Sequence, residues 1–231
     1  MATSRPWTVN RPGPLTQIDE RLWTVEDDVP GLQGAHRRMT VVKRGDGTLL
    51  FFNAIPLPDE TLAQVRALGT PAQLIIPNQF HALDAAAFTH RLGLTAYAPA
   101  IAVEKLAPQV TCKPISALPL EAGMRVFSVD GFKTHEVVLL VGATLIVGDL
   151  LTNAPHEPGL SGLMMRLVGF TGPEPRLPFP VRKRVGQDLA AVRALMTELA
   201  GLEGLARIIP THGGLIQSHA SEALRAVAQS F

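Results

Sequence analysis

Apolar residues run unbroken through Val137–Val141 and again through Thr144–Val147, with only Gly142-Ala143 between them. Two short apolar runs around a two-residue break predict a tight β-hairpin. Neither run alternates with polar residues, so both strands are expected to be covered on both faces, as inside a layered α/β fold. The second run ends on Gly148-Asp149. A carboxylate at the end of a buried strand costs free energy unless a cation, hydrogen-bond donors or a metal meets it. Asp149 is therefore the first candidate for chemistry; the competing reading is a cap for the loop or helix after it.

The remaining pattern places further elements around this hairpin. Arg21–Val25 alternates like a strand, and Asp27–Ala35, with Pro30, Gly31 and Gly34, reads as a loop. Met39–Lys43 and Thr48–Asn53 flank Arg44-Gly45-Asp46-Gly47, whose Asp-Gly step is a strong hairpin signal. Pro58-Asp59-Glu60 opens a helix with Leu62, Val65 and Leu68 on one face, stopped by Gly69. Then come a strand (Ala72–Ile76), a loop (Pro77–His81), a helix (Asp84–Leu92) and a strand (Thr95–Ala98). That alternation predicts parallel pairing with helices outside. Ile101–Leu106 predicts one or two helical turns, and Lys113–Ser116 and Met124–Val129 predict strands. Leu160–Gly169 predicts a short, very apolar helix. Val181–Leu199 predicts one long helix with a basic start at Arg182, Lys183 and Arg184. Arg207–Pro210 is the last strand, followed by Thr211-His212-Gly213-Gly214 and a closing helix through Ala228. Two halves, each with strands first and helices after, predict an α/β sandwich of two sheets with helices on both outer faces. No boundary or repeat interrupts the pattern, so residues 1–231 are expected to form a single domain with a Pro-rich arm over residues 1–16.

Composition narrows the function. Lys+Arg 21 against Asp+Glu 20 leaves a net charge of +1, which argues against a nucleic-acid binder working through phosphate charge. The single cysteine, Cys112, excludes an internal disulfide framework, suits a reducing compartment and reads as a core residue. No apolar run nears the ~18 residues of a membrane span, and Pro6, Pro12 and Pro14 cut the N-terminal stretch where a signal peptide would have its apolar core. A soluble cytoplasmic protein with no membrane partner is the expectation.

LIVGDLL (Leu145–Leu151) and IIPTHGG (Ile208–Gly214), with the loop Pro77–Asp84 after a buried strand, resemble the metallo-β-lactamase superfamily over nearly the whole chain from Ile18. The run RMTVV…IIPNQFH is similar to an uncharacterised branch in which Pro-Asn-x-Phe-His stands where the main metal motif falls. The resemblance implies an αββα sandwich of two mixed sheets, with Asp149 and His212 as metal ligands. It also implies losses. Where the family has His-x-His-x-Asp-His, an ungapped alignment puts Asn78, Phe80, Ala82 and Leu83, and the His of the family's Gly-His-Thr turn is Phe132. His81 and His135 stand close to lost ligands, and with Asp149 and His212 they would make a set for one zinc, iron or manganese ion. Against this stands the plain reading of His81 and His135 as hydrogen-bonded loop histidines; His36, His90, His156 and His219 are expected to be structural. Asn78 and Gln79 are candidates to orient a substrate, or else to satisfy backbone groups. Met164, Met165 and Phe170 cover the site mouth or pack the core.

Three functions stay open: a protein with a degenerate metal site that binds a small molecule, or one metal ion, in the old cleft; a mononuclear metal-dependent hydrolase of an ester, thioester, lactone or phosphoester; and a subunit of a homodimer joined through Leu160–Phe170.

Overall fold

The computed structural model describes residues 5–32, 35–156, 158–167 and 169–231. It divides into two compact units, one made of the chain up to Leu32 with His36–Ala122, the other of Gly123–Phe231 with the short stretch at Ala35.

The first unit holds a seven-stranded sheet in sequence order: β1 (Thr16–Gln17), β2 (Leu22–Asp28), β3 (His36–Lys43), β4 (Thr48–Phe52), β5 (Thr70–Ile75), β6 (Thr95–Ala98) and β7 (Cys112–Pro114). Pairing is antiparallel as far as β4 and parallel from there on. The change of direction follows the sequence. The β3–β4 turn is closed by Asp46, whose carboxylate accepts the backbone N–H and hydroxyl of Thr48, with Gly47 at φ +81°. Those bonds hold the Asp46 carboxyl below its usual range. The later strands are separated by helices α1 (Asp59–Leu68), α2 (Ala85–Leu92) and α3 (Ala100–Leu106), long enough for crossovers. Val41, Leu49, Phe51, Leu74 and Phe88 form the centre of this unit's core, Phe88 edge-on to Phe51 at 5.1 Å.

The β2–β3 hairpin is longer than the apolar pattern predicts. Its extension is ionic: Asp27 lies opposite Arg37, and Asp28 opposite His36 with its Oδ1 2.9 Å from the ring Nδ1. Arg37 and Asp27 are both buried, and the Arg37 guanidinium reaches Asp84 at 2.6 Å. Charged residues inside a strand are invisible to a search for apolar alternation. The same Asp84 anchors the N-terminal arm through Arg5 at 3.1 Å, while Trp7 stacks on Phe88 at 5.5 Å and donates to the Leu57 carbonyl.

The second unit is a four-stranded sheet in the order β11-β10-β9-β8, with β8 (Met124–Val129), β9 (Glu136–Val141), β10 (Thr144–Val147) and β11 (Arg207–Pro210). The β9–β10 hairpin forms as expected, Gly142 turning at φ +56°; β11 joins β10 in parallel. Helices α4 (Gly159–Leu167), α5 (Phe179–Arg184), α6 (Leu189–Ala200) and α7 (Ala220–Gln229) complete the unit. Val192, Met196 and Leu199 of α6 and Leu224 and Val227 of α7 share a core with Val138, Leu145, Val147 and Ile208.

Two expectations are corrected. Lys113–Ser116 is not a continuous strand; β7 ends at Pro114 and a 3-10 turn covers Ile115–Ala117. Val181–Leu199 is not one helix. The N–H groups of Gln187 and Asp188 both donate to the Gly131 carbonyl, at 2.9 and 3.0 Å, and Asp188 then caps α6 by accepting the Ala191 N–H at 3.0 Å. A side chain at Gly131 would sit 2.3 Å from the Asp188 carbonyl, so only glycine admits this crossing. The break also changes the electrostatics. Arg182, Lys183 and Arg184 stand in the last turn of α5, where the helix dipole favours cations, rather than in a first turn where it opposes them.

Candidate functional site

The parallel register of β10 and β11 sets the site. Val147 lies opposite Pro210, so Asp149 and His212, each two residues further on, emerge together at one end of one sheet. Both lie just past the ends of two adjacent strands of the same sheet. Thr211 secures the exit by donating both its N–H and its hydroxyl to the Val147 carbonyl, at 2.9 and 3.0 Å. Past His212 the chain is tied to Asn153: Asn153 N–H donates to the His212 carbonyl (3.1 Å), Gly214 N–H to the Asn153 carbonyl (2.7 Å) and the Asn153 carboxamide to the Gly214 carbonyl (3.0 Å). Gly213, at φ +91°, passes so close that a Cβ there would lie 2.2 Å from the Asn153 carbonyl. Glycine at position 213 thus has a local cause: it is what lets this loop lie against Asn153.

The result is a His212 Nε2 to Asp149 Oδ1 distance of 3.5 Å, with the side chains 13% and 15% exposed. The Phe170 ring stands edge-on to the His212 imidazole, centroids 5.6 Å apart.

Sequence reading missed the residue that shapes this end of the sheet. Glu136, the first residue of β9, is wholly buried. Its carboxylate accepts three successive backbone N–H groups, from Gly148 (3.1 Å), Asp149 (2.7 Å) and Leu150 (2.9 Å). A buried carboxylate is tolerable only with such compensation. A Cβ on Gly148 would lie 2.9 Å from that carboxylate, so the Gly-Asp sequence and Glu136 form one device. The available signal was a charged residue at the lip of the most apolar run in the chain.

The other candidates fall as follows. In the first unit, Asn78 is buried and its side chain accepts the Phe80 N–H at 2.8 Å, capping the 3-10 turn Gln79–His81. The capping bond gives its buried side-chain oxygen a partner. Asn78→Ala is expected to lower stability by about 1 kcal/mol, read from a shifted urea midpoint. Gln79 and His81 are half-buried on that turn, whereas Phe80 and Leu83 are exposed. In the second unit, Phe132 lies wholly inside the core. His135 takes a left-handed backbone at φ +48°, turns its Nδ1 to Asp130 at 3.3 Å and leaves its side chain 41% exposed. It does not join Asp149 and His212. His156 bonds Thr171 at 3.0 Å, and His219 precedes α7. Burial pushes the Cys112 thiol above its ordinary pKa, as suits an unreactive packing residue.

No protein-family model and no curated protein sequence matches the chain. Solved structures do. A metallo-β-lactamase from Pontibacter korlensis is similar over 94% of this chain and 99% of its own, with a TM-score of 0.67 at 12% identity. The DIM-1 metallo-β-lactamase is similar over 95% and 99%, TM-score 0.67, 12% identity. FIM-1 from Pseudomonas aeruginosa, solved in a mono-zinc form, is similar over 96% and 97%, TM-score 0.64, 14% identity. The chain therefore has the metallo-β-lactamase fold, an α/β sandwich of two mixed sheets with helices.

Proposed function

We propose that this is a metallo-β-lactamase-fold protein with a reduced site, which holds a single metal ion through His81, Asp149 and His212 and receives a small molecule beside it. The observation that carries the reading is the Asp149–His212 pair, fixed at 3.5 Å by the β10–β11 register and by Glu136. Within the second unit Asp149 and His212 supply two of the donors, and His81, which the family resemblance places near a lost ligand position, is the third donor of the proposal. Two imidazoles and one carboxylate suit zinc, iron or manganese and leave coordination positions open. A bound ion would lower the pKa of a water in the open position. The chain's own residues supply the rest: Glu136 fixes the Asp149 backbone, Asn153 fixes the His212 loop, and the Phe170 ring packs edge-on against the imidazole.

Three protein ligands serve one ion and leave too few for a second. Phe132 lies in the core and has no donor atom to offer, and the proposal leaves His135, whose Nδ1 is 3.3 Å from Asp130, outside the ligand set. β-Lactam hydrolysis by a dinuclear centre is accordingly not expected. The open position favours a second reading, a mononuclear hydrolase of an ester, thioester, lactone or phosphoester. Assays of zinc-loaded and chelator-treated protein on one chromogenic substrate of each class separate the two. Chelator-sensitive turnover of any of them selects the hydrolase, and chelator-sensitive turnover of a β-lactam at rates typical of enzymes overturns both. The reducing compartment suited to a lone, packed cysteine makes the cytoplasm the proposed location.

A further inference from the structure

Helix α4 presents its apolar stripe outward. Leu160, Leu163, Met164 and Leu167 follow the i, i+3, i+4, i+7 spacing of one helix face, and all four are exposed, Leu160 by 76% and Leu167 by 77%. The opposite side carries Gly162, which is buried. This is the reverse of a surface helix covering a core, and the sequence expectation of core packing for Met164 is corrected by it. At the end of α4 the surface continues. A Cβ at Gly169 would meet the Phe179 Cβ at 3.1 Å, and the exposed Phe179 ring has the Arg182 guanidinium 5.5 Å and the Lys183 ammonium 5.8 Å from its centroid. Arg166 is exposed on the flank of α4 itself, and Arg184 is exposed beside Lys183. From Pro158 to Gly186 the described residues bear Arg166, Arg176, Arg182, Lys183 and Arg184 against the single acid Glu174.

We propose that α4 with the start of α5 docks on an anionic phospholipid surface, the leucine stripe entering the headgroup–acyl boundary and the cations meeting lipid phosphates. An apolar helical stripe with a basic margin is the arrangement that lies in such an interface. The charge decides between occupants. A second copy pairing the same face would bring two basic margins together, which like-charge repulsion opposes; an anionic surface is complementary to them. No described helix is long and apolar enough to cross a membrane, so the contact is peripheral. The loop that carries His212 is linked to this face through Phe170, whose N–H donates to the Met165 carbonyl at the α4 end while its ring meets the imidazole. Docking would therefore bring the Asp149–His212 pair near the lipid.

The test is flotation of the full chain with phosphatidylcholine vesicles and with vesicles containing phosphatidylglycerol, for the wild type, Leu163→Glu/Leu167→Glu and Arg182→Glu/Lys183→Glu. All four side-chain changes are at positions outside the metal site, and circular dichroism checks that each variant is folded. Wild type is expected to float with anionic vesicles and at least about tenfold less with neutral ones, with either double variant reducing anionic binding at least about tenfold. Wild type that ignores anionic vesicles, or a folded Leu163→Glu/Leu167→Glu variant that binds them as well as wild type, overturns the proposal. So does a light-scattering mass of two chains that the leucine changes reduce to one, because the face then belongs to a second copy.

Discussion

Glu136→Ala is expected to remove about 3–5 kcal/mol of folding stability, a large part of the roughly 5–15 kcal/mol a domain possesses. The reason is the number of donors it leaves behind. Three N–H groups, of Gly148, Asp149 and Leu150, point at one buried carboxylate, and alanine returns none of the three bonds. Water can replace the carboxylate only by entering a wholly buried site. Glu136→Gln keeps the shape and one acceptor oxygen but turns an NH2 group toward donors, so it is expected to fall between alanine and wild type. Urea unfolding followed by circular dichroism measures both. An unchanged midpoint for both variants would show that the carboxylate does not hold the loop.

Asp149→Ala is expected to behave in the opposite way. Its side chain is 15% exposed and its backbone N–H is held by Glu136, so the folded state is expected to persist. What it loses is a ligand. Zinc affinity is expected to fall at least about a hundredfold, since even groups that only orient a metal ligand are worth about 10–100-fold. The thermal stabilisation conferred by zinc, about 2.7 kcal/mol at a hundred times the dissociation constant, should shrink accordingly. Calorimetric titration of zinc into wild type and Asp149→Ala measures the ratio. Equal affinities would remove Asp149 from the metal site.

Much of this was legible in the residues. Val137–Val141 and Thr144–Val147 announce a hairpin covered on both faces because apolar continuity has no other cheap explanation, and Gly148-Asp149 and Thr211-His212 stand out as polar ends of apolar strands. The helical breaks were less legible. Val181–Leu199 keeps its apolar period across Val185–Asp188, and only the tertiary bonds from Gln187 and Asp188 to Gly131 divide it. Periodicity reports which face is apolar, not whether the backbone is continuous. Buried polar groups were the least legible. Glu136, Asp27, Arg37 and Asp84 each read as surface residues by type, and each is buried because a partner distant in sequence compensates it. His135, whose metal role rests on nearness in sequence to a lost ligand position, has a left-handed backbone at φ +48° and its Nδ1 3.3 Å from Asp130, features that residue type and spacing do not announce.

Elemental analysis of untagged protein, purified without chelator and then equilibrated with zinc and desalted, tests the central claim most directly. One equivalent of metal per chain is expected, retained by His135→Ala and lost by His212→Ala and His81→Ala. Two equivalents per chain, or none retained by the wild type, would contradict a single-metal site built from His81, Asp149 and His212.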